Sequence, residues 1–485
     1  MTRVRVHVAI AVIAAAGIAC LVQAPDPQWL AGDSHVHSHW SPGYDRTKSP
    51  PEPIKGSDAA YAIPTNARMA EQFGLSWMVT TDHGGPNHAK LNLTNAHAEL
   101  KQSRALVPVV LQFYGLELNM PAMDHHTVIV PHAEDEWSTL FEIESRFDAN
   151  EVWPSDPARG TETAALAALA YMKALPTLPI VFANHPSRSA RRLGVYGRDE
   201  PHEFRNNHDL APEVYRGMEG APGHQAGALH TDGRVRLDES GVPTGSRGGY
   251  GNREAPTLGG FDQMTAIVGG LWDSLLGEGR RFWIVATSDS HVHYTHTTPR
   301  RGSDFWPGEY QKAYVHARKT YEDVLDGIRT GRMFVVAGDL VSELDVVASA
   351  PGGSATLGQT LRASAREVVE VSIRFRSPAS ANPRGDRPRV NRVDLIVGDV
   401  LGRVSDPAAD RNETTTVLAR FDASHWRQDG DVYTIETTLP PVMGATYPRV
   451  RGTNTNELEP QPDPAGEDPW TDLWFYSNPI FVEVK

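Results

Sequence analysis

Between Trp29 and Ala337, short apolar runs alternate with stretches of helical character. Strand–helix alternation of this kind is typical of parallel strands, arranged either in an open sheet or in a barrel. The runs that we interpret as buried strands lie near Ser34–His37, Trp77–Thr81, Val107–Glu117, Thr127–Val130, Ile180–Asn184, Tyr215–Glu219 and Phe282–Ser288. The sequence therefore predicts an α/β fold for this part of the chain, which we assign to residues 29–340.

Three segments within this region predict helices. Asn66–Phe73 is followed by Gly74, which suits a helix C-cap. Ala164–Leu175 is rich in Ala and Leu, which are strong helix formers. Phe261–Leu276 has apolar residues at helical spacing and predicts one further helix.

The pattern changes after Leu340. Val369, Val371, Ile373 and Phe375 alternate with polar residues, which is typical of antiparallel sheet with one face in water. We therefore predict a small β-rich domain, similar to a sandwich, over residues 350–485.

The first 24 residues resemble a secretory signal peptide. Arg3 and Arg5 precede the apolar run Ala9–Val22, and Ala24 offers a small residue for cleavage. We therefore expect an exported protein, periplasmic or extracellular, without stable membrane insertion after processing. Cys20 lies in a weak lipobox context, so a lipoprotein anchored at this cysteine is the alternative.

The charge of the chain restricts its partners. The formal net charge is -14, whereas binding to nucleic acid needs a clustered positive surface. We therefore expect no nucleic-acid partner and a small-molecule substrate instead, while the sequence does not indicate an oligomeric state.

Residue types that bind metal ions recur where the predicted strands end. They are His35, His37, His83, Glu117, His185, Asp289 and His291, with His125 and His126 at the start of the fourth strand. Side chains alternate faces along a strand, so His35 and His37 point to the same side. The ends of different barrel strands converge on one pocket, and imidazole and carboxylate ligands suit zinc, manganese or iron. The sequence thus predicts a site for divalent metal ions.

In this order the residues resemble the motifs of the polymerase-and-histidinol-phosphatase (PHP) superfamily. The matching motifs are His35-x-His37, Thr81-Asp82-His83, Glu117, a later histidine, His185-Pro186 and Ser288-Asp289-x-His291, and they cover about residues 30–340. The resemblance implies a distorted, seven-stranded, TIM-like (β/α)7 barrel with two or three metal ions. The C-terminal β region and the export signal are similar to those of the branch that includes carbaryl-hydrolase-type metallohydrolases.

The resemblance also implies a role for each ligand. His35, His37, Glu117 and Asp289 would hold a first ion, and Glu117 would bridge it to a second. The second ion would be completed by His185 and by His126, which we prefer to His125 because it directly precedes the apolar strand. His83 and His291 would belong to a third ion.

One position departs from the family pattern. Many members have a histidine six residues after the second motif histidine, where this chain has Gly43. Asp45 and His39 are the substitutes that the sequence offers, and we prefer Asp45 because its carboxylate is a hard anionic ligand. Glu219 and His224, after the sixth predicted strand, are further candidates for the lining of the pocket.

These residues predict a hydrolase that uses a metal-activated water. The expected catalytic residues are Glu117, His83 and His291, with Arg188 holding a phosphate or carboxylate of the substrate. A phosphoesterase is the first expectation, and a hydrolase of carboxylic esters or carbamates is the alternative. A non-catalytic periplasmic protein that binds metal or carbohydrate is a third, against which the near-complete ligand set argues.

Overall fold

The computed structural model describes residues 26–245, 250–296 and 302–485. The predicted signal peptide, with its alternative anchor Cys20, lies outside the described residues. Among the described helices, none has both the length and the apolar character that crossing a membrane would require.

The first region alternates strands and helices as expected, which confirms the prediction of an α/β fold. Its strands are β1 (Gln28–Val36), β2 (Gly43–Asp45), β3 (Glu52–Ile54), β4 (Trp77–Thr80), β5 (Leu111–Asn119), β6 (His125–Ile129), β7 (Ile180–Ala183), β8 (Tyr215–Ala221), β9 (Trp283–Ala286), β10 (Gln311–Ala317) and β11 (Met333–Ala337). Its α-helices are α1 (Ile63–Gln72), α2 (His88–Leu91), α3 (His97–Leu106), α4 (Glu136–Phe147), α5 (Glu162–Lys173), α6 (Pro201–Leu210), α7 (Gln263–Ala266), α8 (Leu271–Gly277) and α9 (Tyr321–Thr330). A π-helical turn (Asn92–Ala96) joins α2 to α3, and a 3-10 turn (Pro157–Gly160) precedes α5.

The predicted helix over Phe261–Leu276 is wrong in one respect, because the structure divides it into α7 and α8. Gly269 between them has a φ of 74°, a left-handed conformation that an α-helix does not contain. The helical spacing of apolar residues continues across the break because both short helices are buried on the same sheet.

The seven predicted strands all occur, in the order β1-β4-β5-β6-β7-β8-β9. Neighbours run parallel within β1-β4-β5 and within β7-β8-β9, but β6 runs antiparallel to both of its neighbours. The expectation of parallel strands therefore fails at β6. Only residues 120–124 connect β5 to β6, whereas a parallel crossover needs a dozen or more residues.

The described strands form a mixed sheet rather than a closed ladder. On the far side of β1, the sheet continues through β10 and β11, which are antiparallel to their neighbours. An isolated bridge between Val36 and Ser290 joins the segment after β9 to the end of β1. This bridge brings the two ends of the seven-strand series together at the edge where the candidate ligands lie.

The C-terminal region is rich in β-structure, and its strands begin before residue 350. They are β12 (Glu343–Ala350), β13 (Gly353–Thr356), β14 (Thr360–Ala363), β15 (Glu370–Arg376), β16 (Arg392–Asp399), β17 (Thr416–Phe421), β18 (Arg427–Asp429), β19 (Val432–Thr438), β20 (Thr446–Thr453), β21 (Trp474–Ser477) and β22 (Phe481–Val484). A five-stranded sheet has the order β13-β12-β15-β19-β18. The other six strands continue the large sheet, because β21 pairs with β11.

The two regions consequently share a core. Phe334 of β11 belongs to the same buried cluster as Ile373 and Phe375 of β15 and Phe475 of β21. The alternation noticed in the sequence places Ile373 and Phe375 on the inner face of the five-stranded sheet. The C-terminal region is thus hydrogen-bonded to the first region through β21 and β11, while five of its strands form a separate sheet.

Candidate metal centre

The candidate ligands meet at one edge of the seven-strand series. His35 lies in β1 and Glu117 in β5, while His185 and Asp289 come shortly after β7 and β9. Since β6 is antiparallel, its first residue, His125, reaches the same edge as the last residues of its neighbours. The convergence that was predicted for parallel strands is therefore achieved with one strand reversed.

The first donor set consists of His35, His37 and Asp289, all buried. The Nε2 atoms of the two histidines are 2.8 Å apart, and Oδ1 of Asp289 is 3.2 Å from each of them. The opposite ring nitrogens have other partners, because His35 Nδ1 lies 2.7 Å from Glu219 and His37 Nδ1 lies 2.8 Å from Ser41. A ring with a proton on Nδ1 turns the lone pair of Nε2 towards the shared space.

This arrangement fits a cation. Two imidazole lone pairs that face each other at 2.8 Å repel unless a proton or a metal ion lies between the donors. Oδ1 of Asp289 is buried and has no hydrogen-bond partner among the described residues. Buried polar atoms are rarely left without partners, so the donor set is suited to an ion that would satisfy all three atoms.

Glu117 connects this set to a second one. Its Oε1 lies 3.0 Å from His125 Nδ1 and 3.1 Å from His185 Nε2. The same carboxylate lies 3.3 Å from His35 and 3.4 Å from His37. The position of Glu117 between the two sets matches the bridging role that the resemblance implies.

The choice of His126 as a ligand is wrong in geometry, and His125 takes its place. Across the β5–β6 ladder, Asn119 is opposite His125 and Leu118 is opposite His126. Opposite residues in an antiparallel pair point to the same face, so His125 shares the face of Glu117 and His126 points away. The ring of His126 is buried against Tyr215, with Nε2 3.1 Å from the phenol oxygen.

The third group contains His83 and His291 as predicted, together with a residue that sequence reasoning missed. Asp58 Oδ2 lies 3.2 Å from His83 Nε2 and 3.6 Å from His291 Nε2. His37 stacks on His291 with ring centroids 3.8 Å apart, which joins this group to the first. Asp58 lies in the loop after β3, where no motif marks it, and the sequence signal for it is only its place in the segment after Gly43.

Neither substitute proposed for Gly43 reaches the group. Asp45 lies on the surface, where its carboxylate accepts hydrogen bonds from the backbone and hydroxyl of Thr47. His39 bonds to Glu99 at 2.8 Å, away from the other donors. Both candidates are therefore replaced by Asp58.

Two further residues hold the donors in place. Glu219 accepts from His35, and its second oxygen accepts the backbone N–H of His185 at 2.6 Å. His224 lies 2.9 Å from Oδ2 of Asp289, while its other nitrogen contacts Asp304. Hydrogen bonds of this kind fix the orientation of a ligand. His224 also lines the cavity over the donors, as the sequence suggested, whereas Glu219 is fully buried and is not part of that lining.

The backbone at three of these positions is strained. His185, Asp289 and His224 have φ values of 31°, 46° and 58°, in the left-handed region that residues with a Cβ seldom adopt. Gly223 is needed beside them, because a Cβ there would lie 2.2 Å from the carbonyl oxygen of Ser288. Such strain is concentrated at binding and catalytic sites, where the surrounding fold maintains it.

The protonation states also suit ligands. Burial alone would lower the pKa of His35, but Asp289 and Glu117 outweigh it and raise that pKa well above its ordinary value. Burial would raise the pKa of Glu117, but the histidines beside it hold it well below its usual range. Burial and the charge of His37 lower the pKa of His291 to about 3. Glu117 is therefore ionised and His291 is neutral, as binding to a metal ion requires. The raised pKa of His35 shows that the carboxylates around it stabilise a positive charge at this position.

The donors open into a cavity of about 380 Å³ that Arg188 also lines. One guanidinium nitrogen of Arg188 lies 2.9 Å from Asp124, and the side chain remains about one-third exposed. Arg188 therefore lies beside the donors, where the sequence led us to expect it. Asp124 compensates part of its positive charge.

No family model matches the chain, and comparison with curated proteins finds no significant similarity. The interpretation of the centre therefore depends on the chemistry of the donors and on the cavity into which they open.

Proposed function

We propose that this protein is a metal-dependent hydrolase whose centre holds two or three divalent ions, zinc, manganese or iron. The observation that carries the proposal is the convergence of His35 Nε2, His37 Nε2 and the unpartnered Oδ1 of Asp289 within 3.2 Å. His35, His37, Asp289 and Glu117 would hold one ion. Glu117, His125 and His185 would hold a second.

Ions at these positions would supply an activated water molecule and would offset negative charge that develops on the substrate. Glu117 holds both donor sets in a fixed relation, and Glu219 keeps the ring of His35 in the orientation that binding needs. His83 and His291 present Nε2 atoms to the cavity, where a neutral ring can accept the proton that the attacking water releases and pass it to the leaving oxygen. Water adds to the phosphorus or carbonyl carbon, the bond to the leaving oxygen breaks, and that oxygen takes up the proton.

A phosphoesterase is our first proposal within this class. Two donor sets that share a carboxylate are suited to a pair of ions, which can clamp the attacking and leaving oxygens of a phosphoryl group. Arg188 is placed to bind a further anionic oxygen of the substrate.

A hydrolase of carboxylic esters or carbamates is the second candidate. It is favoured by the small number of permanent cations at the site, since Arg188 is the one Lys or Arg among the described residues that line the central cavity. Because Arg188 already pairs with Asp124, it compensates the charge of a phosphate dianion only in part, whereas an uncharged ester needs no such compensation.

The remaining expectations belong to the same proposal. The order β1-β4-β5-β6-β7-β8-β9 and the Val36–Ser290 bridge support a distorted seven-stranded barrel of the PHP type. Export through the predicted signal peptide of residues 1–24 agrees with an enzyme that acts on an external or scavenged small molecule.

Metal analysis and a substrate panel test the proposal together. The purified protein, supplemented with zinc, manganese or iron, is expected to retain at least one and more commonly two ions per chain. It should then hydrolyse members of a panel of p-nitrophenyl phosphate mono- and diesters, naphthyl esters and naphthyl carbamates. Failure to retain any of these metals would overturn the proposal, and hydrolysis of only the carbon esters would select the second candidate.

A further inference from the structure

A second cavity adjoins the candidate metal centre. Its volume is about 550 Å³, and it shares Asp58, His83 and His125 with the cavity over the donors. A substrate that contacts the donors would therefore extend naturally into this second space, which we name the side cleft.

The side cleft has a largely apolar lining. Pro42, Tyr44, Val152 and Trp153 contribute to it, and Arg46 is the one Lys or Arg among the described residues that line it. The hydroxyl of Tyr44 already accepts the backbone N–H of Gly85 at 2.9 Å, which fixes the ring in the wall. Gly85 suits this contact, because a Cβ there would come within 3.2 Å of the Tyr44 ring.

Trp153 gives the strongest indication of a ligand. Its side chain is 49% exposed, although it lies beside a cavity and its Nε1 has a donor contact to Ser49 Oγ at 3.3 Å. A large aromatic side chain with half of its surface in water leaves apolar area that a flat ligand could cover.

The amide groups in the cleft are occupied by the protein itself. Asn119 Nδ2 donates to Asp148 at 2.9 Å, and Asn150 Nδ2 donates to Asn119 Oδ1 at 2.8 Å. These amides are directed to each other and to the buried carboxylate. Apart from Arg46 and the residues shared with the cavity over the donors, the cleft therefore mainly offers apolar contact to a ligand.

We propose that the side cleft binds a flat aromatic group of the substrate, so that the preferred substrates are aryl esters. This inference rests on the proposed hydrolase function and names its substrate class. The ester group would lie over the donors, and its aryl substituent would pack against Trp153 in the side cleft. A pocket with apolar walls and a polar reacting end commonly orients its substrate in this way.

Binding of two phosphonates to the zinc-loaded protein tests the inference without turnover. Phenylphosphonate should bind about tenfold or more tightly than methylphosphonate, as calorimetry would measure, because only the first can cover Trp153. Trp153→Ala should remove about tenfold of the phenylphosphonate affinity and leave methylphosphonate affinity and zinc content unchanged. Trp153→Phe is the matched control and should keep most of the affinity.

Equal affinities for the two phosphonates in the wild-type protein would overturn the inference, as would an equal loss for both in Trp153→Ala. Failure of both phosphonates to bind the zinc-loaded protein would also overturn it. Selective binding of phenylphosphonate with no hydrolysis of any ester would instead contradict the proposed function while supporting the aromatic cleft. The two proposals can therefore fail separately.

Discussion

Buried charge is handled in opposite ways in two parts of this molecule. Where the C-terminal strands meet the first region, Arg449 is fully buried and pairs with Asp273 through two contacts, at 3.0 and 2.7 Å. Nearby, the buried Arg451 pairs with Asp394 at 3.0 Å. At the strand ends, by contrast, the carboxylates of Glu117 and Asp289 form ion pairs with histidines in the described structure.

The difference lies in where the compensating positive charge comes from. A guanidinium is always charged, so Arg449 compensates Asp273 with no further component. An imidazole is charged only when it takes a proton, and burial opposes that charge. The strand-end cluster can therefore be compensated either by protons or by metal ions, whereas the C-terminal pairs need neither.

Histidines beside a carboxylate do not by themselves make a metal site, as the Glu136 group of Glu136, His97, His132 and Arg104 shows. Glu136 lies 3.0 Å from His132 and 3.3 Å from His97, and all three are of residue types that bind metal ions. Arg104 also contacts Glu136, with its second nitrogen 3.1 Å from the second carboxylate oxygen. The guanidinium already neutralises the carboxylate, so this group resembles the C-terminal pairs in its electrostatics.

The largest expected effect is that of Glu117→Gln on catalysis. An amide at this position cannot bridge two cations, so both donor sets lose their shared negative charge. We expect turnover to fall by at least about a thousandfold, which corresponds to roughly 4 kcal/mol of the activation barrier. Steady-state assays of the metal-supplemented variant would measure this loss.

His39→Ala is the matched control for this change, because His39 lies near the centre but bonds to Glu99 instead. Its turnover should stay close to that of the wild type. A Glu117→Gln variant that retains both ions and normal turnover would show that the strand-end cluster is merely another set of structural charges.

The next effect is expected in the C-terminal region and concerns stability. Asp273→Asn leaves the charge of Arg449 buried and unpaired, which should lower the free energy of unfolding by about 3 kcal/mol. Metal content per folded chain should not change, because Asp273 contacts none of the candidate ligands in the described structure. Denaturant unfolding and elemental analysis would measure the two quantities.

Asp345→Asn is a suitable control, since its ion pair with Arg374 is more than one-third exposed on both sides. Exposed pairs contribute little, so its stability should remain within about 1 kcal/mol of the wild type. Loss of metal from folded Asp273→Asn would mean that the two regions of buried charge are not independent.

The comparison also explains what the sequence could predict. Strand ends are visible as apolar runs, so ligands immediately after them, such as His37 and Asp289, could be located from the order of residues alone. The choice between His125 and His126 could not, because it depends on the register of β6 against β5. That register follows from a turn whose conformation is not written in the hydrophobic pattern.

Asp58 and the pairing between the C-terminal region and the first region could not be predicted, for another reason. Asp58 reaches His83 and His291 only through the fold of a loop, with no periodic pattern to mark its position. Likewise, the pairing of β21 with β11 joins residues that are more than a hundred positions apart. Alternation predicts which residues of a strand are buried, but it does not predict which strand lies beside them.

A smaller effect is expected from the Glu136 group, and it depends on pH. Burial would raise the pKa of Glu136, but the contacts from His97 and Arg104 outweigh it and lower the pKa to about 2, from an ordinary value near 4.5. A carboxylate with a lower pKa in the folded state stabilises the fold above about pH 4.5, and this contribution is lost as the pH falls towards 2. The full change in pKa corresponds to about 3 kcal/mol, and solvent screening of the partly exposed contact with His132 reduces it. We therefore expect Glu136 to account for about 2 kcal/mol of the acid-induced loss of stability.

The measurement is the free energy of unfolding of the metal-free protein between pH 6 and pH 2, for the wild type and for Glu136→Gln. The variant should be less stable near pH 6, and the difference should shrink as the pH falls. Glu142→Gln serves as the control, because Glu142 is exposed and its ion pair is with the exposed Arg146. A difference that stays constant with pH would show that Glu136 acts through its shape and hydrogen bonds rather than its charge.

The smallest effect is expected for Asp58→Asn, which tests whether the third group resembles the first two. Asp58 is the only carboxylate that contacts both His83 and His291 in the described structure, and it is partly exposed at the edge of the cavity. Replacing it by asparagine keeps the shape and removes the charge, so the outermost ion should bind about tenfold more weakly, which is near 1.4 kcal/mol. The inner ions should be unaffected, because Asp58 belongs to neither the set of His35, His37 and Asp289 nor the set of Glu117, His125 and His185. Titration of the metal-free protein with zinc or manganese would resolve this as a change confined to the weakest binding step.

Asp45→Asn is the control, and it should change none of the steps because the Asp45 carboxylate bonds to Thr47 on the surface. If Asp58→Asn leaves every step unchanged while Asp45→Asn weakens one, the assignment of Asp58 is wrong and the loop that holds Gly43 supplies the ligand instead.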